Sequence, residues 1–315
     1  MLDFDPGVMA RAVQDGTLEH VQLDRGLFRG RIAHSACTGS RIDWGAYTLG
    51  VLARGDLSRD MVSITLGLGG VGDWRVHGKC LANGDMVVFP EGGDMLIALP
   101  QQAQWLSVQV PRTRLEAAGL ALSRCLEGSA RRMAGVVDDG MRQVLLDLAP
   151  VLAPQAESQA VDGTAVARAH DELLGSLFAE LAHRGGASDT GAALSPGERW
   201  RVIRRAERFI DDCDEAPVRI DALCEAACTS VSRLERAFRE TFGVSPRRFL
   251  MLKRLAAVRR ELLWGSPETS ITAVACRWGF FHLGRFSQEY RQHFAELPSH
   301  TLRRSQANRD AMRPG

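Results

Sequence analysis

Two groups of side chains have the types and spacing to read a nucleic-acid duplex. The first is Ser232, Arg233, Glu235, Arg236 and Arg239; the second is Gly284, Arg285, Ser287, Gln288 and Arg291. The chemistry would be hydrogen bonding to base edges. An arginine reaches guanine O6 and N7 together, a glutamate accepts from the cytosine amino group, and a glutamine pairs in both directions with adenine. Each group is what remains once the apolar positions are assigned. Leu234, Phe238, Phe242 and Pro246 recur every four residues, as do Phe286, Tyr290, Phe294 and Pro298. That spacing turns the apolar set to one side of a helix and leaves the polar set outside.

The elements that would position these faces form a repeat. Ile220, Leu223 and Cys224 reappear 51 residues later as Ile271, Val274 and Ala275, whereas the four-spaced positions reappear 52 residues later. One extra residue therefore lies between the two halves of the unit. Each copy reads as a helix-turn-helix. In the first, Ile220–Ala227 leads through Cys228-Thr229-Ser230 to a recognition helix over Val231–Phe242, with Ser230 suited to cap it. In the second, Ser270 caps Ile271–Trp278, Gly279-Phe280 makes the turn, and Leu283–Phe294 is the recognition helix. Gly243 ends the first recognition helix, and a continuous helix over Phe249–Leu263 joins the copies. A helix over Glu198–Asp212, with Val202, Ile203, Ala206 and Ile210 inward, precedes them.

At these residues the chain resembles the AraC/XylS family of transcription regulators. Arg254-Leu255 with Arg259 and Leu262 is similar to that family's linker-helix signature. Ser270-Ile271, Ala275, Gly279-Phe280, Phe286, Tyr290, Pro298 and Arg303 are similar to its second-unit signature. The likeness covers about residues 198–305. It implies two recognition helices in successive major-groove segments of double-stranded DNA, an asymmetric site, transcription activation and RNA polymerase as a partner. Two positions depart from the pattern: Cys228 and Ala295 stand where the family uses glycine. Where the backbone needs positive φ, such a residue costs on the order of 1 kcal/mol.

Upstream, short apolar runs alternate with turn signals. The expected strands are Leu27–Ala36, Ile42–Ala53, Met61–Leu68, Trp74–Cys80, Asp85–Phe89, Met95–Leu99 and Gln104–Val110, with Asn83-Gly84 a strong turn dipeptide. Regular short strands suggest a cupin-like jelly roll. Within it Trp44, Tyr47, Trp74 and Trp105 could line a small-molecule pocket or fill the core. Gly67, Gly69 and Gly72 spell a G-x-G-x-x-G, but Asp73–Gly78 reads as strand rather than the helix a phosphate site needs. His34 and His77 have no closely spaced partner ligands, so neither a metal nor another cofactor is called for. The run Gly84–Phe89 with Trp105 is most similar to the ethanolamine-utilisation branch of the same family, which does not make ethanolamine the ligand. Helices are expected over Arg112–Leu126, Asp139–Leu152 and Val161–Ala182. The apolar stripe of the last could pack on the barrel or on a second subunit, making a homodimer.

Composition bounds the rest. The 315 residues, 45% of them hydrophobic, suffice for two cores. No apolar run is long enough to span a membrane, so a cytoplasmic, nucleoid-associated location is expected. The seven cysteines form no CxxC pair and are odd in number, which favours free thiols; Cys224 and Cys228 as a redox pair is the alternative. The net charge of +1 divides unevenly: residues 198–315 carry 22 basic and 15 acidic side chains, or +7, leaving −6 for residues 1–197. A basic third beside an acidic remainder fits a nucleic-acid module joined to a part that does not touch DNA.

The sequence thus predicts an α+β chain. Residues 1–183 form a β-rich, cupin-like sensor with helices, 184–197 a linker, 198–305 an all-α tandem helix-turn-helix domain, and 306–315 a tail. The expected function is a non-enzymatic transcription regulator, an activator under a small-molecule effector. Control by a protein partner is the alternative, and a barrel enzyme fused to a DNA module a more distant one.

Overall fold

The computed structural model describes residues 2–4, 14, 16–37, 39–120, 130–133, 135, 141, 145, 163–186, 197–213, 218–266 and 268–311. They divide into two compact units, one built on Arg29–Ser195 and the other on Pro196–Gly315 together with His20–Phe28. The α+β class expected from the sequence holds, with strands in the first part of the chain and helices in the last.

The strands are β1 (Leu2–Phe4), β2 (Thr17–Gln22), β3 (Gly30–Cys37), β4 (Ser40–Tyr47), β5 (Val51–Asp56), β6 (Val62–Val71), β7 (Trp74–Val76), β8 (Lys79–Leu81), β9 (Met86–Phe89), β10 (Asp94–Leu99), β11 (Gln101–Val110) and β12 (Arg131–Met133). Among the described residues they make a seven-stranded sheet, β1-β3-β4-β11-β6-β9-β12, and a five-stranded one, β2-β5-β10-β7-β8. The expected strand Ile42–Ala53 is in fact two, β4 and β5, which belong to different sheets. Trp74–Cys80 is a hairpin rather than a strand. His77 and Gly78 turn it at φ of 50° and 75°, the pair of positive angles that matches strand twist in a two-residue loop. Gly67 and Gly69 lie inside β6, and strand β7 follows them. Strands β1, β2 and β12 are too short or too mixed in sequence to have been anticipated.

Helix α1 (Arg112–Ala117) is shorter than expected and stops before Gly119, which sits at φ 76°. The rest of the predicted Arg112–Leu126, most of Asp139–Leu152 and most of the expected linker lie outside the described residues. Helix α2 runs Gly163–Gly186. Its stripe of Leu173, Leu174, Leu177 and Leu181 is buried against Ile42, Ile64, Leu106 and Val108 of the seven-stranded sheet. These four leucines pack on the sheet of their own unit.

The C-terminal unit holds α3 (Glu198–Asp212), α4 (Ile220–Ala226), α5 (Val231–Phe242), α6 (Pro246–Trp264), α7 (Ile271–Arg277), α8 (Leu283–Phe294) and α9 (Pro298–Ala311). Helix α6 starts earlier than the sequence suggested: the Ser245 hydroxyl accepts from the Arg248 amide, and Pro246 takes the first turn, where its missing N–H costs nothing. Around α4 to α6 the core is aromatic. Phe238 meets Phe242 and Phe249 edge-on, with 5.2 Å between centroids in each case, and Phe242 stacks on Phe249 at 4.6 Å.

Around α7 to α9 the core is partly ionic. Arg259 of α6, 5% exposed, places a guanidinium nitrogen 2.7 Å from Glu296 Oε1 and its plane 4.4 Å from the centre of the Phe294 ring. The Thr301 hydroxyl donates to Glu296 (2.8 Å), Arg304 donates to both its oxygens, and the Tyr290 hydroxyl pairs with Thr301 at 2.9 Å. One buried cation thereby ties α6, α8 and α9 together. His293, at the end of α8, is buried and neutral. Its Nε2–H donates to the Gln22 carbonyl, its Nδ1 accepts from Arg248, and burial holds its pKa down to about 4. The Gln22 amide and the Gly26 N–H in turn donate to the His293 carbonyl, which satisfies a last-turn carbonyl of α8.

Glu296→Gln removes the partner of a buried cation while leaving the cation in place. It should cost about 3–5 kcal/mol in urea denaturation of the full chain; a loss below about 1 kcal/mol would mean that Arg259 is held by its ring contact alone.

Candidate nucleic-acid interface

Each recognition helix is aimed by the turn before it, and the two turns are built alike. In the first, the Cys228 N–H donates to Glu225 O and the Thr229 N–H to Cys224 O, both at 3.0 Å. In the second, the Gly279 N–H donates to Cys276 O (3.0 Å) and the Phe280 N–H to Ala275 O (2.9 Å). This closure needs a left-handed residue after the helix. Cys228 supplies it at φ 51° and Gly279 at φ 77°. Both recognition helices also end on a left-handed residue, Gly243 at φ 76° and Ala295 at φ 58°. Each copy of the repeat therefore needs two such positions and fills only one with glycine. The two departures noticed in the sequence are the non-glycine halves of these pairs.

The extra residue of the second copy falls in its turn. Ser230 caps α5 by accepting from the Arg233 amide, and Ser270 caps α7 in the same way through Ala273. Helix α8 begins at His282 without a side-chain cap. Between Gly279 and His282 stand Phe280, which is buried in the core, and Phe281, which is exposed.

The inward and outward faces fall as the spacing required. Leu234, Ala237, Phe238, Phe286, Tyr290 and Phe294 are buried. Ser232, Arg233, Arg236, Arg239, Gly284, Arg285, Gln288 and Arg291 are exposed, and Glu235 and Ser287 are half-buried at the edges of the two faces. A Cβ on Gly284 would meet nothing within 4 Å, so this position leaves backbone open on the outer face. Val231 and Leu283 add exposed apolar groups to the first turns of the two helices, of a kind that suits a thymine methyl. The outward arginines are not bare: Arg236 pairs with Glu240 (2.8 Å), Arg239 with Glu235 (3.4 Å), Arg285 with Glu289 (2.9 Å) and Arg233 with Glu198 of α3 (3.5 Å).

The four aromatics proposed for a ligand site do not share a wall. Register places three rows across β3, β4, β11, β6 and β9. One holds Arg41, Gln109, Ser63 and Phe89; the next His34, Asp43, Ser107, Thr65 and Val87; the third Gly45, Trp105 and Gly67. Directly paired residues point to the same side, so these rows line the face opposite α2. Tyr47 and Trp74 join them. The Tyr47 and Trp105 rings meet edge-on at 6.0 Å, and the Trp74 ring lies 3.0 Å from where a Cβ on Gly67 would stand. Trp44 is on the other side, packed with the aliphatic core beneath α2. Partly buried there, it lies on the opposite side of the sheet from Tyr47 and Trp105.

That inner face is polar to an unusual degree for a buried surface. Asp43, Ser63, Ser107 and Gln109 are each at most 1% exposed. The Asp43 carboxylate accepts from the Gln14 backbone and amide, from Gln109 Nε2 and from His34. Ser63 Oγ and Gln109 Oε1, which face each other across β6 and β11, have no hydrogen-bond partner among the described residues. Burial raises the Tyr47 phenol far above its usual range, so it stays protonated and can donate. The sequence did not single out Asp43, Ser63, Ser107 or Gln109. Their alternation with Ile42, Ile64, Leu106 and Val108 was the available signal.

Set against known proteins, residues 223–304 match the family model described as "Helix-turn-helix domain". The "Probable thc operon regulatory protein" of Rhodococcus erythropolis is 33% identical over 103 residues, which is 32% of this chain and about a third (31%) of that protein's own length. An "XylDLEGF operon transcriptional activator 1" of Pseudomonas putida is 25% identical over 239 residues, covering 73% of this chain and 71% of the relative. A solved structure, a probable AraC family transcriptional regulator from Rhodopseudomonas palustris, is 33% identical over 33% of this chain and 96% of its own, with a TM-score of 0.31.

Replacing the two strained residues by the one type without a Cβ should stabilise the fold. Cys228→Gly and Ala295→Gly are each expected to raise unfolding free energy by up to about 1 kcal/mol, read as a rise in melting temperature; a fall at either position would mean that the side chain contributes more than its φ angle costs. With the same turn and the same inward scaffold used twice, the C-terminal third of this chain is a tandem helix-turn-helix domain, and residues 223–304 of it are similar to the helix-turn-helix family model and to the operon regulators named above.

Proposed function

We propose that this chain is a sequence-specific transcription regulator, an activator that binds an asymmetric site on double-stranded DNA and acts on RNA polymerase. The observation that carries this reading is the pair of outward faces, different in chemistry but mounted on one scaffold. Helix α5 offers Arg233, Glu235, Arg236 and Arg239, and α8 offers Gly284, Arg285, Ser287, Gln288 and Arg291. The continuous helix α6, clamped at Arg259, fixes the distance between them. Two unlike faces at a fixed spacing read a directional sequence, with recognition segments about 10 bp apart. The relatives named as operon regulators and activators support the same reading.

Enrichment of bound sequences from a random pool tests it. Arg236→Ala and Arg285→Ala should each lower affinity for the enriched site roughly 10- to 100-fold and relax the sequence at one segment only, a different segment for each. Equal losses on every sequence would make both arginines phosphate contacts.

The β-rich unit is proposed as the effector domain, with the ligand on its inner face beside Tyr47, Trp74 and Trp105. The buried Ser63 and Gln109 oxygens call for a ligand that carries hydrogen-bond donors as well as apolar surface. A thermal-shift screen of the full chain against small metabolites should find a stabilising compound, and Gln109→Leu should abolish its shift. Silence across such a screen, with a protein retained on purification, would favour control by a partner.

A further inference from the structure

The reading arginines are already occupied. Arg236, 80% exposed, pairs at 2.8 Å with Glu240 one turn along α5, and Glu240 is also 3.0 Å from Arg199 of α3. Arg285, 78% exposed, pairs at 2.9 Å with Glu289 one turn along α8. Arg233 faces Glu198, the first residue of α3, at 3.5 Å. The α3 and α5 groups line one surface groove of about 250 Å³, with Thr229, Val202 and Ala237 as its floor. An arginine–glutamate pair one turn apart thus occurs on both recognition helices, at different positions of the repeat, since Arg236 matches Gln288 and Arg285 matches Arg233.

A glutamate four residues after an arginine adds little to the stability of an exposed helix. On a DNA-facing helix it has a second effect. Any duplex offers phosphates to an exposed arginine, and that attraction is independent of sequence. A carboxylate already holding the guanidinium must be displaced and is then left near the phosphates, which repel it. A guanine edge gives back two directed hydrogen bonds for that displacement, whereas a phosphate mainly gives charge. The glutamates therefore weaken binding to unrelated DNA more than binding to the right site.

We propose that Glu240 and Glu289, with Glu198 on α3, are specificity-determining residues that compete with DNA phosphate for Arg236, Arg285 and Arg233. The proposal rests on the DNA-binding reading above. It is tested with Glu240→Gln and Glu289→Gln in the full chain. Asp211→Asn serves as a control, because it also adds one positive charge but breaks a pair with Lys253 on helices other than the recognition helices.

Affinity is measured by fluorescence anisotropy on a random-sequence duplex and on a site enriched by the wild-type protein, over a series of KCl concentrations. Both glutamine variants should bind the random duplex about three- to tenfold tighter, with a steeper salt dependence, and gain less on the enriched site, so that the specificity ratio falls. Melting temperatures should stay near wild type, which a merely structural pair would not explain alongside an altered salt slope. Equal gains on both duplexes matching Asp211→Asn, or no gain on either, would overturn the proposal, as would loss confined to the enriched site, which would make the glutamates base contacts. A wild-type chain that enriches no site and binds no duplex would instead overturn the DNA-binding reading, and this one with it.

Discussion

A buried cation holds the second helix-turn-helix together. Arg259 lies within the apolar core of α6, α8 and α9, where an uncompensated charge would be far more costly than any contact made by its aliphatic stem. Glu296 neutralises it, Thr301 and Arg304 complete the hydrogen bonds of that carboxylate, and the Phe294 ring covers the guanidinium. The arrangement draws its contacts from all three helices at once. Directional bonds therefore fix the angle at which α8 presents its outer face, a precision that apolar packing alone supplies less sharply. Of the residues that resemble the family signatures, Arg259 and Tyr290 are part of this clamp, and none of the set belongs to the proposed reading faces.

The first unit achieves the same geometry by other means. Its core is the cluster of Phe238, Phe242 and Phe249. What the copies share is backbone. Both need a left-handed residue after the leading helix and another after the recognition helix, and the demand is met even where the residue carries a Cβ. The hydrogen-bond closure of the turn evidently outweighs the local strain, since Cys228 and Gly279 give the same pattern of donors and acceptors. The outer faces are then free to differ, because the buried side chains and the turn hydrogen bonds that set the helices do not include them.

In the β-rich unit the decisive feature is alternation. Ile42, Ile64, Leu106 and Val108 turn one way, onto α2, while Asp43, Ser63, Ser107 and Gln109 turn the other. The first set buries apolar area and stabilises the unit. The second is expensive unless partnered, and part of it is partnered internally, through Gln14 and His34 on Asp43. The oxygens left over are where the proposed effector would meet the protein. Glycines at 45 and 67 make the aromatic end of the same face: a Cβ on Gly45 would lie 2.3 Å from the Trp105 ring.

The sequence by itself determined the helical half. A helix is specified by residues three and four apart, so the four-spaced aromatics, with Ser230 and Gly243 at the ends of α5, were enough to place α5 and α8 at their observed bounds and to separate inward from outward residues. It also exposed the single-residue offset between copies, which the structure locates in the Phe280-Phe281 turn. The tertiary structure alone decided what depends on partners distant in the chain. Which strand neighbours which, and hence whether Trp44 or Tyr47 faces the interior, is set by hydrogen-bond register across β3, β4, β11 and β6, and a shift of one residue would exchange the two. The pairing of Arg259 with Glu296 and of the reading arginines with their glutamates was likewise out of reach, because charges at compatible spacings are common and only the folded geometry says which of them meet.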